Sequence, residues 1–298
     1  MIDEKLRVSY SQFSMWNQCK WRWKLNYVDK LRRHEPNISM MFGSSMHDTL
    51  QEFLTIAYNK SGREANDLDL NDLLKDRMKY HFGVAQKANK GTPPCTKNEM
   101  IEHYSDGIEI LNWFKKNRKN YFGLKGFELF GVEVPISMQI RPGINMVGFI
   151  DVVIKDKVRK KYRIIDFKTS THGWNKNQKG DDNKTSQVIL YKKYFSEQYK
   201  VPMENIDVEF IILKRKLYEN TEYTQRRLQS IKPAHGKVTV NKVAKKFDEF
   251  LNECFTTTGD YIDGKEYKKE ASEYNCKYCE FKDDLTLCDK NGIKLKSG

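Results

Sequence analysis

Residues 147–170 read VGFIDVVIKDKVRKKYRIIDFKTS. Two apolar, β-branched runs each carry one carboxylate, Asp151 and Asp166, and the second adds Lys168. Charge inside such a run is costly unless something pairs with it. GFIDVVI and YRIIDFK both read as strands, and the basic polar residues between them suit a connecting turn. Side chains alternate along a strand, so Asp166 and Lys168 share a face with Ile164. A hairpin folded about Val158 and Arg159 sets Asp151 directly opposite Asp166. Facing Cβ atoms lie roughly 5 Å apart, where like charges repel. A divalent cation between them turns that repulsion into coordination, and hard oxygen ligands favour Mg²⁺ or Mn²⁺. The bland counterpart is a surface hairpin with a cross-strand ion pair.

The acid-x-Lys triplet is weak evidence by itself. It recurs at Asp3–Lys5, Asp182–Lys184, Asp263–Lys265, Glu266–Lys268 and Glu280–Lys282. Only Asp166–Lys168 follows a β-branched run with a second acid-bearing run just upstream.

The 298 residues suffice for one large core or two modest ones. Lys and Arg number 53 against 40 Asp and Glu, a formal net charge of +13 that favours a polyanionic partner. No apolar run approaches the roughly 20 residues of a spanning helix, and the start MIDEKLRVSYSQ is too polar for a signal peptide. The expectation is a cytoplasmic, soluble protein with no membrane role, which makes nucleic acid the polyanion. Six cysteines in a reducing compartment do not suggest a disulfide framework.

Residues 9–28 read as an aromatic-rich helix with a serine start, and 43–59 as a helix whose apolar stripe is Leu50, Phe53, Leu54 and Ala57. Further helices are expected over 67–120, broken at Gly91–Pro94. Strands follow from about 127: FELFGVEVPISMQI, then the two acid-bearing runs. A polar loop over 171–184 leads to a helix over 185–199 and a strand over 207–214. Residues 215–240 read as basic and irregular, and 241–255 as a short helix before a cysteine-bearing tail. No internal repeat or low-complexity block is present. The expected fold is α+β: a central mixed sheet flanked by helices, with a helical N-terminal part over 1–125, a core over 126–215 and a basic, cysteine-bearing part over 216–298, all within one domain of 1–298.

Other constellations are weaker singly. His47 lies near the apolar stripe of its helix, where a histidine is usually a packed residue. Gln187 and Tyr191, four apart on a helix, share a face and suit a phosphate or a base. Cys276-Lys-Tyr-Cys279 with Cys288 supplies three thiols, and a tetrahedral site needs a fourth, for which Cys19 is the best candidate. Basic and aromatic residues alternate over Lys20-Trp21-Arg22-Trp23-Lys24, a pattern that suits unpaired bases but is more often core. Lys214, Arg215 and Lys216, with Arg226 and Arg227, are candidate nucleic-acid contacts.

In order, the chain carries Tyr10-Ser11 and Cys19, Phe42-Gly43 with His47, Gly148-Phe149-Ile150-Asp151, Asp166-Phe167-Lys168-Thr169, Gln187-x-x-x-Tyr191 and a three-cysteine tail. This series resembles the PD-(D/E)XK nuclease superfamily in its RecB-like branch, near helicase-associated exonuclease domains and CRISPR adaptation nucleases. The resemblance covers about residues 9–288. It implies a restriction-endonuclease-like core with His47, Asp151 and Asp166 as metal ligands. It also implies catalytic roles for Asp151, Asp166, Lys168, Gln187 and Tyr191. In iron–sulfur members one N-terminal and three C-terminal cysteines hold a 4Fe-4S cluster, and Cys19, Cys276, Cys279 and Cys288 match that layout. Eight residues separate Cys279 from Cys288, more than that family usually has. Zn²⁺ on the same sulfurs is the alternative.

The reading that follows is a Mg²⁺- or Mn²⁺-dependent deoxyribonuclease in DNA processing, recombination or repair, an exonuclease by preference, with a helicase or recombination protein as partner. The alternatives are a structure-selective endonuclease on branched DNA, an RNA nuclease, and a non-catalytic nucleic-acid-binding subunit.

Overall fold

The hairpin at the centre of the chain forms because both its strands are rich in β-branched residues and its turn is not. The computed structural model describes residues 6–32 and 35–288. The Asp3–Lys5 triplet and the chain beyond Cys288 lie outside them. In chain order the elements are β1 (Leu6–Val8), α1 (Tyr10–Gln18), α2 (Lys20–Tyr27), α3 (Ile38–Asn59), α4 (Gly62–Asp67), α5 (Leu70–Ala88) and α6 (Lys97–Asn117). The strands β2 (Phe127–Arg141), β3 (Ile144–Asp156) and β4 (Tyr162–Ser170) follow, then α7 (Lys176–Lys179) and α8 (Asp182–Tyr199). The remainder is β5 (Ile206–Lys214), β6 (Leu228–Ile231), α9 (Lys237–Cys254) and α10 (Glu273–Cys276). Among the described residues the six strands form one mixed sheet, paired in the order β1-β3-β4-β5-β6, with β2 also on β3. The expected α+β architecture of a mixed sheet flanked by helices is the one present.

The chain divides into two compact units, and β2 and β3 each contribute one part to either. The larger comprises residues 35–135 and 149–236. Here β3 and β4 run antiparallel, with Val152 opposite Ile165 and Val153 opposite Ile164. β4 and β5 run parallel, with Asp166 beside Phe210 and Lys168 beside Ile212. Parallel neighbours need a long crossover, and α8 supplies it. α8 begins where the Asp181 side chain accepts from the Asn183 and Lys184 N–H groups. α3 begins at Ile38, five residues before the sequence-based start, and is capped by Asn37, whose side chain accepts from Met40 N–H. α6 opens with a capping box between Thr96 and Glu99. The core of this unit packs Phe42, Leu50, Phe53 and Leu54 of α3 with Leu74 of α5, Phe114 of α6 and Ile165, Phe167 and Ile211 of the sheet.

The stretch 215–240 is less irregular than its composition suggests. Leu228–Ile231, with its two apolar ends buried, pairs antiparallel with the free edge of β5. α9 starts at Lys237, four residues earlier than expected.

Among the described residues the smaller unit comprises 6–32, 136–148 and 237–288. The single helix expected over 9–28 is two helices, because Cys19 is extended, with φ −158° and ψ 111°, and closes α1 while opening α2. Trp23 is fully buried and packs against Phe250, Phe255, Tyr261 and Tyr267. Lys20 pairs with Glu253, Arg22 with Glu280 and Lys24 with Asp29. The alternating basic and aromatic stretch therefore builds this unit's own core and its rim of ion pairs. Among the described residues no helix is long and apolar enough to cross a membrane.

Candidate active site

The site is assembled in the larger unit from α3, β2, β3, β4 and α8. One step beyond the printed β3–β4 pairs, Asp151 comes opposite Asp166. The fold about Val158 and Arg159 expected from spacing is thus the observed one. Both acids are buried, at 9 % and 1 % exposure. Asp151 Oδ2 accepts the Phe167 backbone N–H at 2.7 Å, which ties the acid to the strand that carries Asp166. Lys168 Nζ lies 2.7 Å from Asp166 Oδ2 as an ion pair. That oxygen accepts no well-aligned hydrogen bond among the described residues.

Burial dominates the electrostatics. It raises the Asp151 and Asp166 carboxyls to about 6 each, against the opposing pull of the Lys168 ammonium. The charge of each neighbouring acid adds to the rise: Glu133 acts on Asp151, and Asp151 on Asp166. Burial also lowers His47 to about 4, helped by Lys168, so the imidazole is neutral near pH 7. Its Nδ1 lies 3.4 Å from Asp151 Oδ2, a contact that is no ion pair in that protonation state. Phe167 packs beside the ring.

Gln187 and Tyr191 point the same way on α8. Gln187 Nε2 donates to the Tyr191 hydroxyl at 3.3 Å. Tyr191 is buried, and desolvation pushes it up to about 12, with Asp166 and Asp151 adding to the rise. Its hydroxyl is therefore a protonated donor facing the acids' field.

One acid near the centre was not singled out from sequence. Glu133 Oε1 accepts from Gln51 Nε2 at 2.6 Å, and the same Gln51 amide donates to the Asp151 carbonyl at 3.2 Å. Glu133 has φ +46°, a left-handed conformation that is costly for a residue with a Cβ. Strain of that kind collects at functional sites. The available signal was an acid inside the apolar run FGVEVPI, the same signal that marks Asp151 and Asp166.

Above about pH 6 the two buried aspartates bring two negative charges against one lysine and a neutral imidazole. A hard divalent cation suits that deficit and that donor chemistry. Among the described residues no three His, Cys, Asp or Glu side chains stand ready to hold a metal ion as a group. Lys168 instead sits where a cation would neutralise Asp166.

The cysteines gather in the smaller unit. Cys19, Cys276, Cys279 and Cys288 line one cavity of about 20 Å³, together with Trp21 and Phe281. All four are free thiols, and burial raises Cys279 above the ordinary cysteine range. The cavity has room for a single small ion, about one water in size. A four-iron cluster does not fit there unless the sulfurs spread apart. In the larger unit Arg215 lies 3.3 Å from Asp106, while Lys216 pairs with Asp106 and Glu102 at 2.9 and 3.0 Å. Arg227 lies 3.6 Å from Glu109, so three of the five candidate nucleic-acid cations are engaged by acids of α6.

A mixed sheet with two facing buried acids and a lysine two residues on defines a metal-dependent phosphodiester-cleaving class. The PD-(D/E)XK nuclease superfamily profile matches residues 7–284, and the chain belongs to that superfamily. Its members are nucleases that use Mg²⁺ or Mn²⁺ on nucleic-acid substrates. Among solved structures, a crystal structure of SSO0001 aligns with 93 % of this chain and 95 % of that one, at 13 % identity and a TM-score of 0.31. No curated protein matches the chain.

Proposed function

We propose that this chain is a deoxyribonuclease of the RecB-like branch that acts on DNA ends as an exonuclease. The observation that carries the reading is the pair of buried carboxylates, Asp151 and Asp166, facing each other with Lys168 alongside. In this reading Asp151, Asp166 and neutral His47 hold Mg²⁺ or Mn²⁺, with Glu133 positioned behind Asp151 through Gln51. A cation held by these residues would supply Lewis-acid chemistry, activating water and offsetting charge on the scissile phosphate. Lys168 Nζ leaves Asp166 to hold the attacking water or a phosphate oxygen. The Tyr191 hydroxyl donates to phosphate, oriented by Gln187. Lys214 adds an electrostatic contact to the strand, and Arg215 and Lys216 do so where α6 acids leave them free. A helicase or recombination protein is the partner class that this branch implies.

End-labelled single- and double-stranded DNA, incubated with Mg²⁺ or Mn²⁺, tests the reading. Release of mononucleotides from an end is expected. Internal cuts confined to branched substrates would make the enzyme a structure-selective endonuclease, and cleavage of RNA alone would move it to another substrate. Asp151→Ala and Asp166→Ala are each expected to abolish cleavage while DNA binding is kept or tightened, because both acids repel phosphate. Wild-type-like turnover by either variant removes that residue from the site.

The cysteine set carries a second part of the proposal: Cys19, Cys276, Cys279 and Cys288 bind one 4Fe-4S cluster, with Zn²⁺ as the alternative. What supports it is that thiols from the two ends of the chain line one cavity. Among the described residues the four thiols do not stand as a ready metal-binding group, so either metal requires the sulfurs to reorient. Thiolate ligation would fix a segment poor in apolar residues. Anaerobic purification separates the cases. About four irons per chain and broad absorption near 400 nm mean a cluster, and stoichiometric zinc means the alternative. Neither metal, with Cys276→Ser melting as wild type does, ends the proposal.

A further inference from the structure

Beside the edge strand β6 the larger unit has a cavity of about 530 Å³, within the size range of a small-ligand site. Arg163, Glu209, Lys214, Arg226 and Lys232 line it, together with Tyr218 and Tyr223. Arg163 precedes Asp166 by three residues on β4, so the two side chains leave opposite faces of the strand. The cavity is therefore separate from the pair of acids.

Its floor is chemically incomplete. Glu209 is only 4 % exposed. Its Oε1 accepts a hydrogen bond from the Ser230 hydroxyl. Its Oε2 lies 3.6 Å from Arg163 Nε, and neither atom has a hydrogen-bond partner among the described residues. Arg163 is oriented by its other nitrogen, which donates to the Tyr121 carbonyl at 2.6 Å. The two atoms are buried against each other as an ion pair without an aligned hydrogen bond, so a ligand that parts them would meet one acceptor beside one donor. A buried polar atom without a partner costs about 1–3 kcal/mol.

Adjacent donor and acceptor groups are also what the Watson–Crick edge of every base carries. Cytosine and adenine offer an amino group beside a ring nitrogen, and guanine and thymine a ring N–H beside a carbonyl. In a duplex those groups are already paired. Tyr218 and Tyr223 are 58 % and 66 % exposed; one face of the Tyr218 ring stacks on His172, which leaves its other face and the Tyr223 ring for a base. Lys214, Arg226 and Lys232 supply positive charge for phosphate. Lys214 also connects the cavity to the acidic centre. It follows by two residues Ile212, the partner of Lys168, on the same face. Strand spacings put the Cα atoms of Lys214 and Lys168 on the order of 8 Å apart, about one nucleotide step.

We propose that this cavity seats one unpaired nucleotide of the DNA strand: base edge on Glu209 and Arg163, ring against Tyr218 and Tyr223, phosphate by Lys214, Arg226 and Lys232. The proposal rests on the nucleic-acid reading above and deepens it. It makes the enzyme selective for single-stranded ends without reading their sequence.

Binding separates this proposal from the cleavage reading. Fluorescence anisotropy uses full-length Asp166→Asn protein in EDTA with three labelled probes: a twelve-residue oligothymidylate, an abasic strand of equal length and a duplex. The oligothymidylate is expected to bind about tenfold tighter than either of the others, the worth of one stacked base. Tyr223→Ala, on an exposed ring, should reduce that advantage to under threefold. Glu209→Gln should do the same, and circular dichroism reports whether that buried variant folds. Equal affinity for the abasic and base-bearing strands overturns the proposal, since phosphate contacts alone, with water on Glu209, would then explain binding. An unchanged preference in Tyr223→Ala also overturns it. Displacement by free thymidine monophosphate at the concentration that suffices for the oligomer would make the ligand a free nucleotide and overturn the strand assignment. If wild-type protein with Mn²⁺ cleaves nothing while the single-strand preference and its loss in Tyr223→Ala persist, only the nuclease reading falls.

Discussion

Asp166 pays for its position in the absence of a cation. Burial raises its carboxyl from 3.8 to about 6. Between those values the folded state binds the extra proton, so this residue's contribution to stability falls as pH rises through that window. The cost is complete at pH 8. Asp166→Asn is therefore expected to stabilise the metal-free protein at pH 8 by about 1–3 kcal/mol, with the gain vanishing near pH 4. His47 acts in the opposite sense. Its value falls from 6.5 to about 4, so its contribution is lost as pH drops through that range. The difference between variant and wild type, from urea unfolding at pH 4 and pH 8, isolates Asp166. A variant less stable than wild type at pH 8 would mean that the Lys168 ion pair outweighs the burial. Lys168 itself is one-third exposed, so its role is chemical more than structural. Lys168→Ala should slow single-turnover cleavage by on the order of 10²-fold, as the loss of a transition-state charge partner does. DNA binding should hardly change. Weakened binding with an unchanged chemical step would make it a phosphate anchor only.

Among the elements, α3 joins core to candidate site. Its stripe of Phe42, Met46, Leu50, Phe53 and Leu54 is buried, while His47 and Gln51 reach the acids. The site's geometry therefore depends on how α3, α5 and α6 pack. Gly107 of α6 lies where they meet: an added Cβ would come 2.5 Å from Leu74 Cδ2 and 3.1 Å from the Phe42 ring. Gly107→Ala should destabilise by about 1–3 kcal/mol through overpacking. Gly83 of α5 has open space within 4 Å, and Gly83→Ala should instead stabilise by up to about 1 kcal/mol through helix propensity. Thermal melts of the two variants check the contrast, and a neutral Gly107→Ala would mean that the three helices yield easily. At this scale the sequence was a partial guide. Helical periodicity marked the interior of α3 correctly but missed its start: Ile38 and Met41 carry the apolar face one turn further back, to the cap at Asn37. The break at Cys19 carries no Gly or Pro to announce it, so 9–28 read as one helix.

Over the whole molecule the formal net charge of +13 sets the character of binding. Affinity for DNA should fall steeply between 50 and 200 mM salt, by roughly 10³-fold or more if six or more phosphates are contacted. A flat curve would point to a partner other than nucleic acid. The sequence alone determined the β3–β4 hairpin, its register and the facing of Asp151 and Asp166, because a two-residue period and a local turn decide all three within 20 residues. It also marked four cysteines that line one cavity from the two ends of the chain, a grouping its order suggested through resemblance. The tertiary structure alone decided what each charge meets. Arg215 and Lys216 face Asp106 and Glu102, more than 100 residues earlier, so they are partly neutralised where composition counted them as free. Glu133 lies on β2, which pairs with the strand of Asp151, and Gln51 of α3 bridges the two residues. Trp23, in a stretch whose pattern suits unpaired bases but is more often core, does lie in a core, an aromatic one built with residues after 246 that the pattern does not name. Pattern within one element reports which face is apolar. Partners across elements depend on packing, which a period of two or 3.6 residues does not encode.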